Sequence, residues 1–309
     1  MIRWMTAAAL LAGVGGMAAF SAKEPDGPVV SAEASNVSQL ADDPLTRPME
    51  VERARAWLAP RPPEKVFGTT YLVGFGGLSV ALIDTGAGLV LVDGALPQAA
   101  PAILDNVRSL GFDPADIKFI LSTEPHWDHS GGLAALTRDT GATVIASARG
   151  AEGLRAGALA LDDPQLAYGG TWPRVTQVRV VEDGEVLALG HTRITAQATP
   201  GHTMGSMSWS WQACEAGACK AIVFASSLNP VSGDGYRYTA PSSAAILSGF
   251  TQSYSRLEGL ACNILISAHP DNAGDGRYDA RPDACRIYVE RSRRLLSTRL
   301  ATERDGGAN

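Results

Sequence analysis

Apolar and polar positions along the chain fall into runs of two different periods. Val66 to Val73, Leu78 to Asp84 and Leu89 to Asp93 are β-rich runs separated by the glycine-rich turns Gly74-Phe-Gly-Gly77 and Thr85-Gly-Ala-Gly88, which predicts a meander of antiparallel strands. The period then lengthens. Between Gln98 and Leu110 the apolar positions Ile103, Leu104, Val107 and Leu110 follow helical spacing, and Gly111 supplies the stop. Ile117 to Ser122 reads as a short buried strand, Gly131 to Thr140 as a helix and Ala142 to Ala146 as another strand. Between Gly150 and Pro173 no period survives, and the segment reads as a mobile flap or edge loop. Short strands resume at Val178 to Val181, Glu185 to Leu189 and Arg193 to Ala198, and Ser206 to Gln212 pairs with Lys220 to Ala225 as a hairpin. A helix over Pro241 to Leu260, a strand over Asn263 to Ser267 and a long amphipathic helix from Arg281 to about Thr302 close the chain. Strands followed by helices thus occur twice, without a visible sequence repeat.

The amino terminus departs from this pattern. Arg3, an apolar centre from Ala7 to Phe20, and the small residues Ser21 and Ala22 make residues 1–22 a secretory signal peptide by pattern, too short and glycine-rich for a comfortable membrane span. Residues 23–60 read as a leader, partly disordered or carrying a short helix over Glu50 to Leu58, and 61–309 as a single domain. With 309 residues, 45% of them hydrophobic, the chain can bury a large core, and a net charge of −6 gives no basic field for nucleic acid. The four cysteines pair by spacing as Cys214 with Cys219, across Glu215-Ala-Gly-Ala218, and Cys262 with Cys285. An exported chain meets oxidising conditions, which favours disulfides, with four unpaired thiols as the alternative.

The chemistry concentrates in Ser122-Thr-Glu-Pro-His-Trp-Asp-His-Ser-Gly-Gly-Leu133, where Glu124, His126, Asp128 and His129 fall within six residues. In an extended segment residues 124, 126 and 128 project to one side and His129 to another, so one loop serves two neighbouring metals. Imidazole and carboxylate donors suit zinc, with iron or manganese as less favoured alternatives. Two more histidines follow predicted strands: His202 in Thr199-Pro-Gly-His202-Thr-Met-Gly205 and His269 in Ile264-Leu-Ile-Ser-Ala-His269-Pro270. The remaining histidine, His191, sits in the turn Leu189-Gly-His-Thr192 and reads as a solvent-facing structural residue.

Glu-x-His-x-Asp-His resembles the His-x-His-x-Asp-His signature of the metallo-β-lactamase superfamily, with its first His replaced by Glu. The later histidines stand in the superfamily's order. The resemblance implies a four-layer αβ/βα sandwich of the α/β class, with Glu124, His126 and His202 holding one zinc ion and Asp128, His129 and His269 a second. No cysteine ligand is present, and Ser227 stands in Ala225-Ser-Ser-Leu-Asn229, so the chain looks like subclass B3. Asp93 reads as orienting a ligand imidazole, with a strand-end residue capping a turn as the alternative, and the resemblance implies that Ser227 and Asn229 meet the substrate carboxylate.

The activity so implied is hydrolysis of the β-lactam amide bond by zinc-activated water, with Asp128 positioning the nucleophile or relaying its proton, in a periplasmic monomer free of the membrane after signal cleavage. Glu124 changes one term. An anionic ligand takes a unit of charge off the first site, which strengthens attraction for the metal but lowers its Lewis acidity. A hydrolase of another lactone, ester or thioester is the alternative within the same fold, and a non-catalytic metal-binding protein the alternative outside it.

Overall fold

The structure, a computed structural model, describes residues 43–272 and 276–306. The signal peptide read over 1–22 and the leader up to residue 42 lie outside these. The described end of the leader is packed: a short helix α1 (Ala54–Trp57) forms, and Leu45, Met49, Val51, Trp57 and Leu58 lie against the core. Among the described residues no helix is long and apolar enough to cross a membrane.

Seven strands, β1 (Glu64–Phe67), β2 (Thr70–Leu72), β3 (Ala81–Asp84), β4 (Leu89–Val92), β5 (Ile117–Leu121), β6 (Thr143–Ala146) and β7 (Val178–Val180), form one sheet in chain order. Pairing is antiparallel up to β4 and parallel beyond it, because helices α2 (Ala100–Ser109), α3 (Trp127–Ser130), α4 (Leu133–Thr140) and α5 (Ala148–Ala156) carry the chain back between strands. The second sheet has the order β12-β11-β10-β9-β8, from β8 (Val186–Leu189), β9 (Thr192–Ala198), β10 (Met207–Glu215), β11 (Ala218–Ala225) and β12 (Ile264–Ser267). Helices α6 (Ala244–Glu258) and α7 (Ala284–Arg304) cover its outer face.

Strand alternation builds the layers. Along β4, Val90 and Val92 face the second sheet while Leu89 and Leu91 face α2 and α4. The core between the sheets is anchored by Trp209 and Phe224, both fully buried. Helix, sheet, sheet, helix is the αβ/βα sandwich that the motif resemblance implies. The halves are less alike than the sequence pattern suggests, since the first sheet has seven strands and the second five.

Three readings are corrected. Residues 150–156 belong to helix α5, capped at its start by Ser147 Oγ, which accepts from the Gly150 N–H at 2.9 Å, and ended by Gly157 at φ 61°. Its glycines hid it from a search for apolar period, and one of them has a packing reason: a Cβ at Gly153 would lie 2.6 Å from Pro125 Cβ in the ligand loop. Residues 127–130 are a helical turn, so Asp128 does not share an extended face with Glu124 and His126. The β10–β11 hairpin runs longer than read, to Glu215 and from Ala218, and ends in the Cys214–Cys219 disulfide. The second disulfide, Cys262–Cys285, ties the start of β12 to α7.

Candidate metal centre

Strand β5 ends at Leu121, and the next five residues carry the ligand loop between the two sheets. The Met207 N–H donates to Thr123 O at 2.7 Å, and Trp209 Nε1 donates to Ser122 O at 3.3 Å, which fixes the loop against the start of β10. At the other end of the gap the Ser79 N–H donates to Ala268 O at 2.9 Å, so the residue after β12 is held beside the first sheet. The chain then doubles back: a Cβ at Gly132 would lie 2.2 Å from Gly94 O, and only glycine permits this approach of α4's start to the end of β4.

All six sequence-identified donors converge here. Ligand atoms of Glu124, His126 and His202 lie within 4.8 Å of one another, and so do those of Asp128, His129 and His269. In the second group His129 Nε2 is 3.1 Å from His269 Nε2, and Asp128 Oδ2 is 3.4 Å from the former and 3.3 Å from the latter. The two groups touch through Glu124, whose Oε1 lies 3.1 Å from His129 Nε2 and 3.8 Å from His202 Nε2. His191 stays apart, exposed in its turn.

Each imidazole has its outer nitrogen engaged. His129 Nδ1 faces Asp93 Oδ2 at 3.4 Å, His202 Nδ1 donates to Asn229 O at 2.8 Å, His269 Nδ1 donates to Gly77 O at 3.1 Å, and His126 Nε2 faces Asp163 Oδ2 at 2.9 Å. The inner nitrogens, Nε2 of His129, His202 and His269 and Nδ1 of His126, face the centre. Asp93 itself sits at φ 66°, an unfavourable conformation for a residue with a Cβ, and its carboxylate is fixed by the Thr123 N–H and Oγ1, both at 2.7 Å. Asp163 and Gln165 were missed from the sequence. Their segment has no period, and only the folded chain brings them to the histidines, with Gln165 Nε2 3.0 Å from His202 Nε2 and 3.4 Å from His126 Nδ1.

Ser227 has no exposed surface and reaches the centre through its backbone, its N–H donating to Glu124 Oε2 at 2.9 Å. Glu124 Oε1 is buried and accepts no hydrogen bond. Burial alone would raise the Glu124 carboxyl, but the imidazoles of His129, His202 and His126 outweigh it and bring it down to about 2. Burial likewise opposes charge on His129, yet Asp128, Glu124 and Asp93 push it up to about 10. Asp128 is lowered against its own burial, chiefly by His129 and His269. A buried cluster whose carboxylates stay anionic, with Glu124 Oε1 accepting no hydrogen bond and four imidazole nitrogens facing inward, fits two cations bound by N and O donors once the His129 proton leaves.

A family model described as the metallo-β-lactamase superfamily matches residues 67–215. A solved structure described as the first B3 metallo-β-lactamase with an active-site glutamic acid is 75% identical, with a TM-score of 0.84, covering 85% of this chain and 99% of that one. The Rm3 metallo-β-lactamase is 40% identical with a TM-score of 0.79, over 83% of this chain and 100% of that one. Among curated proteins, a hydroxyacylglutathione hydrolase of Anaeromyxobacter dehalogenans is 30% identical over 143 residues, 46% of this chain and 42% of that enzyme. The uncharacterised protein YobT of Bacillus subtilis is 30% identical over 151 residues, 47% of this chain and 62% of that protein. The chain therefore spans about half the length of the curated relatives it matches.

Proposed function

The chain belongs to the metallo-β-lactamase superfamily, and from that premise we propose that it hydrolyses the amide bond of β-lactams as a subclass B3 enzyme with two zinc ions. The observation that carries the reading is the pair of buried triads, Glu124, His126, His202 and Asp128, His129, His269, in contact through Glu124. Bound zinc supplies Lewis acidity toward a carbonyl and lowers the pKa of water to about 7. Asp128, held anionic between His129 and His269, orients the attacking water and accepts its proton. That proton passes to the lactam nitrogen as the C–N bond breaks, while the water oxygen stays on the acyl carbon and gives up its second proton to solvent as the product ionises to a carboxylate. Asp93 keeps the His129 imidazole in register. Asn229, half-buried and already fixed to His202 through its carbonyl, is the side chain proposed to meet the substrate carboxylate; Ser227 acts through its amide on Glu124.

Two disulfides and the amino-terminal pattern support export to the periplasm, where the chain would act as a monomer on small molecules. The match to a hydroxyacylglutathione hydrolase keeps a thioester as the second reading. A panel of a penicillin, a cephalosporin, a carbapenem, a lactone and a glutathione thioester, each at saturating zinc, separates the two. Turnover confined to the β-lactams is expected, and turnover confined to the thioester would replace the reading.

A further inference from the structure

The segment 157–173, between α5 and β7, sends a carboxylate into the centre. Asp163 is 5% exposed, and its Oδ2 lies 2.9 Å from His126 Nε2. Its other oxygen accepts from the Gln165 N–H at 2.8 Å, so the carboxylate cannot swing away without losing a second bond. An ionised carboxylate only accepts, which requires His126 Nε2 to carry a proton and, in the neutral ring, makes Nδ1 the acceptor. That Nδ1 and His202 Nε2 converge on one point, the Gln165 amide nitrogen, at 3.4 and 3.0 Å.

We propose that Asp163 is a positioning residue for the first triad: it holds His126 in the Nε2–H tautomer so that Nδ1 faces the metal position. The other imidazoles are served by the backbone or by a sheet end: His202 and His269 by the carbonyls of Asn229 and Gly77, and His129 by Asp93 just after β4. Asp163 depends instead on how its segment packs. Pro164 O accepts from the Gly233 N–H at 2.9 Å, and Tyr168 Oη donates to Ser232 O at 2.8 Å, so the segment is pinned to the chain that follows β11. The tautomer of one ligand is thereby tied to the contact between two loops.

The inference rests on the reading of Glu124, His126 and His202 as a metal triad. Zinc is titrated against a chromophoric chelator into the metal-free full chain, Asp163→Ala and Asp163→Asn, and the imidazole nitrogens of the metal-free forms are followed by NMR. The unaltered chain is expected to bind two ions. Asp163→Ala should lose roughly 10–100-fold in affinity at one of them, the range for an outer partner of a ligand histidine, and His126 should become a mixture of tautomers. Asp163→Asn, whose amide oxygen still accepts from Nε2–H, should keep the tautomer and recover part of the affinity. Unchanged zinc affinity with unchanged His126 signals in Asp163→Ala would overturn the proposal. Failure of the unaltered chain to bind a second ion would instead remove the triad reading, and the NMR signals would still decide the role of Asp163.

Discussion

At Glu124 the replacement of an imidazole by a carboxylate is visible in the motif, but how the carboxylate is held is not. The Ser227 N–H takes Oε2 and leaves Oε1 turned toward His129 and His202, an arrangement that needs a residue 103 positions away. The charges this creates give a pH dependence for the metal-free chain. His129, raised to about 10 from an ordinary 6.5, contributes stability that is complete below 6.5 and lost as pH rises through about 10. Glu124, lowered to about 2 from 4.5, contributes stability present above 4.5 and lost as pH falls through about 2. The cluster therefore favours the metal-free fold most between 4.5 and 6.5. Zinc binding at pH 7 must then displace the His129 proton. Calorimetry in buffers of different ionisation enthalpy should report at least one proton released, and a heat independent of buffer would contradict the assignment.

Among the elements, those with a sustained period were legible and those fixed by tertiary contact were not. β3, β4, β5 and α2 lie close to where their apolar spacing puts them, since each buries a face that the period marks. Helix α5 was hidden because Gly150 and Gly153 weaken its apolar face, although Gly153 is what admits Pro125. Helix α3 is a single turn, below the length at which period carries a signal, yet it swings Asp128 and His129 into the second triad. Trp209 links these elements to the ligand loop: fully buried, it fills the core between the sheets and donates to Ser122 O. Trp209→Ala should cost about 3–5 kcal/mol by cavity formation, read as a lowered denaturation midpoint. A loss within about 0.5 kcal/mol, the range of an ordinary surface change, would show that the gap between the sheets refills.

For the whole molecule, the resemblance of the motif carried the sandwich and named six side chains, which the fold brings together in two groups. What escaped were the partners behind the ligands, Asp163, Gln165 and the Gly77 and Asn229 carbonyls, whose chemistry exists only once the two sheets close. The central claim is that these buried triads are a two-zinc centre that opens β-lactams, and one titration tests it most directly. The purified chain is stripped with a chelator and zinc is returned in measured equivalents while carbapenem and cephalosporin hydrolysis is followed. The account predicts that hydrolysis disappears on stripping and returns to its full rate as two equivalents are taken up. Hydrolysis that survives complete removal of metal, or two bound equivalents with neither β-lactam opened, would contradict it.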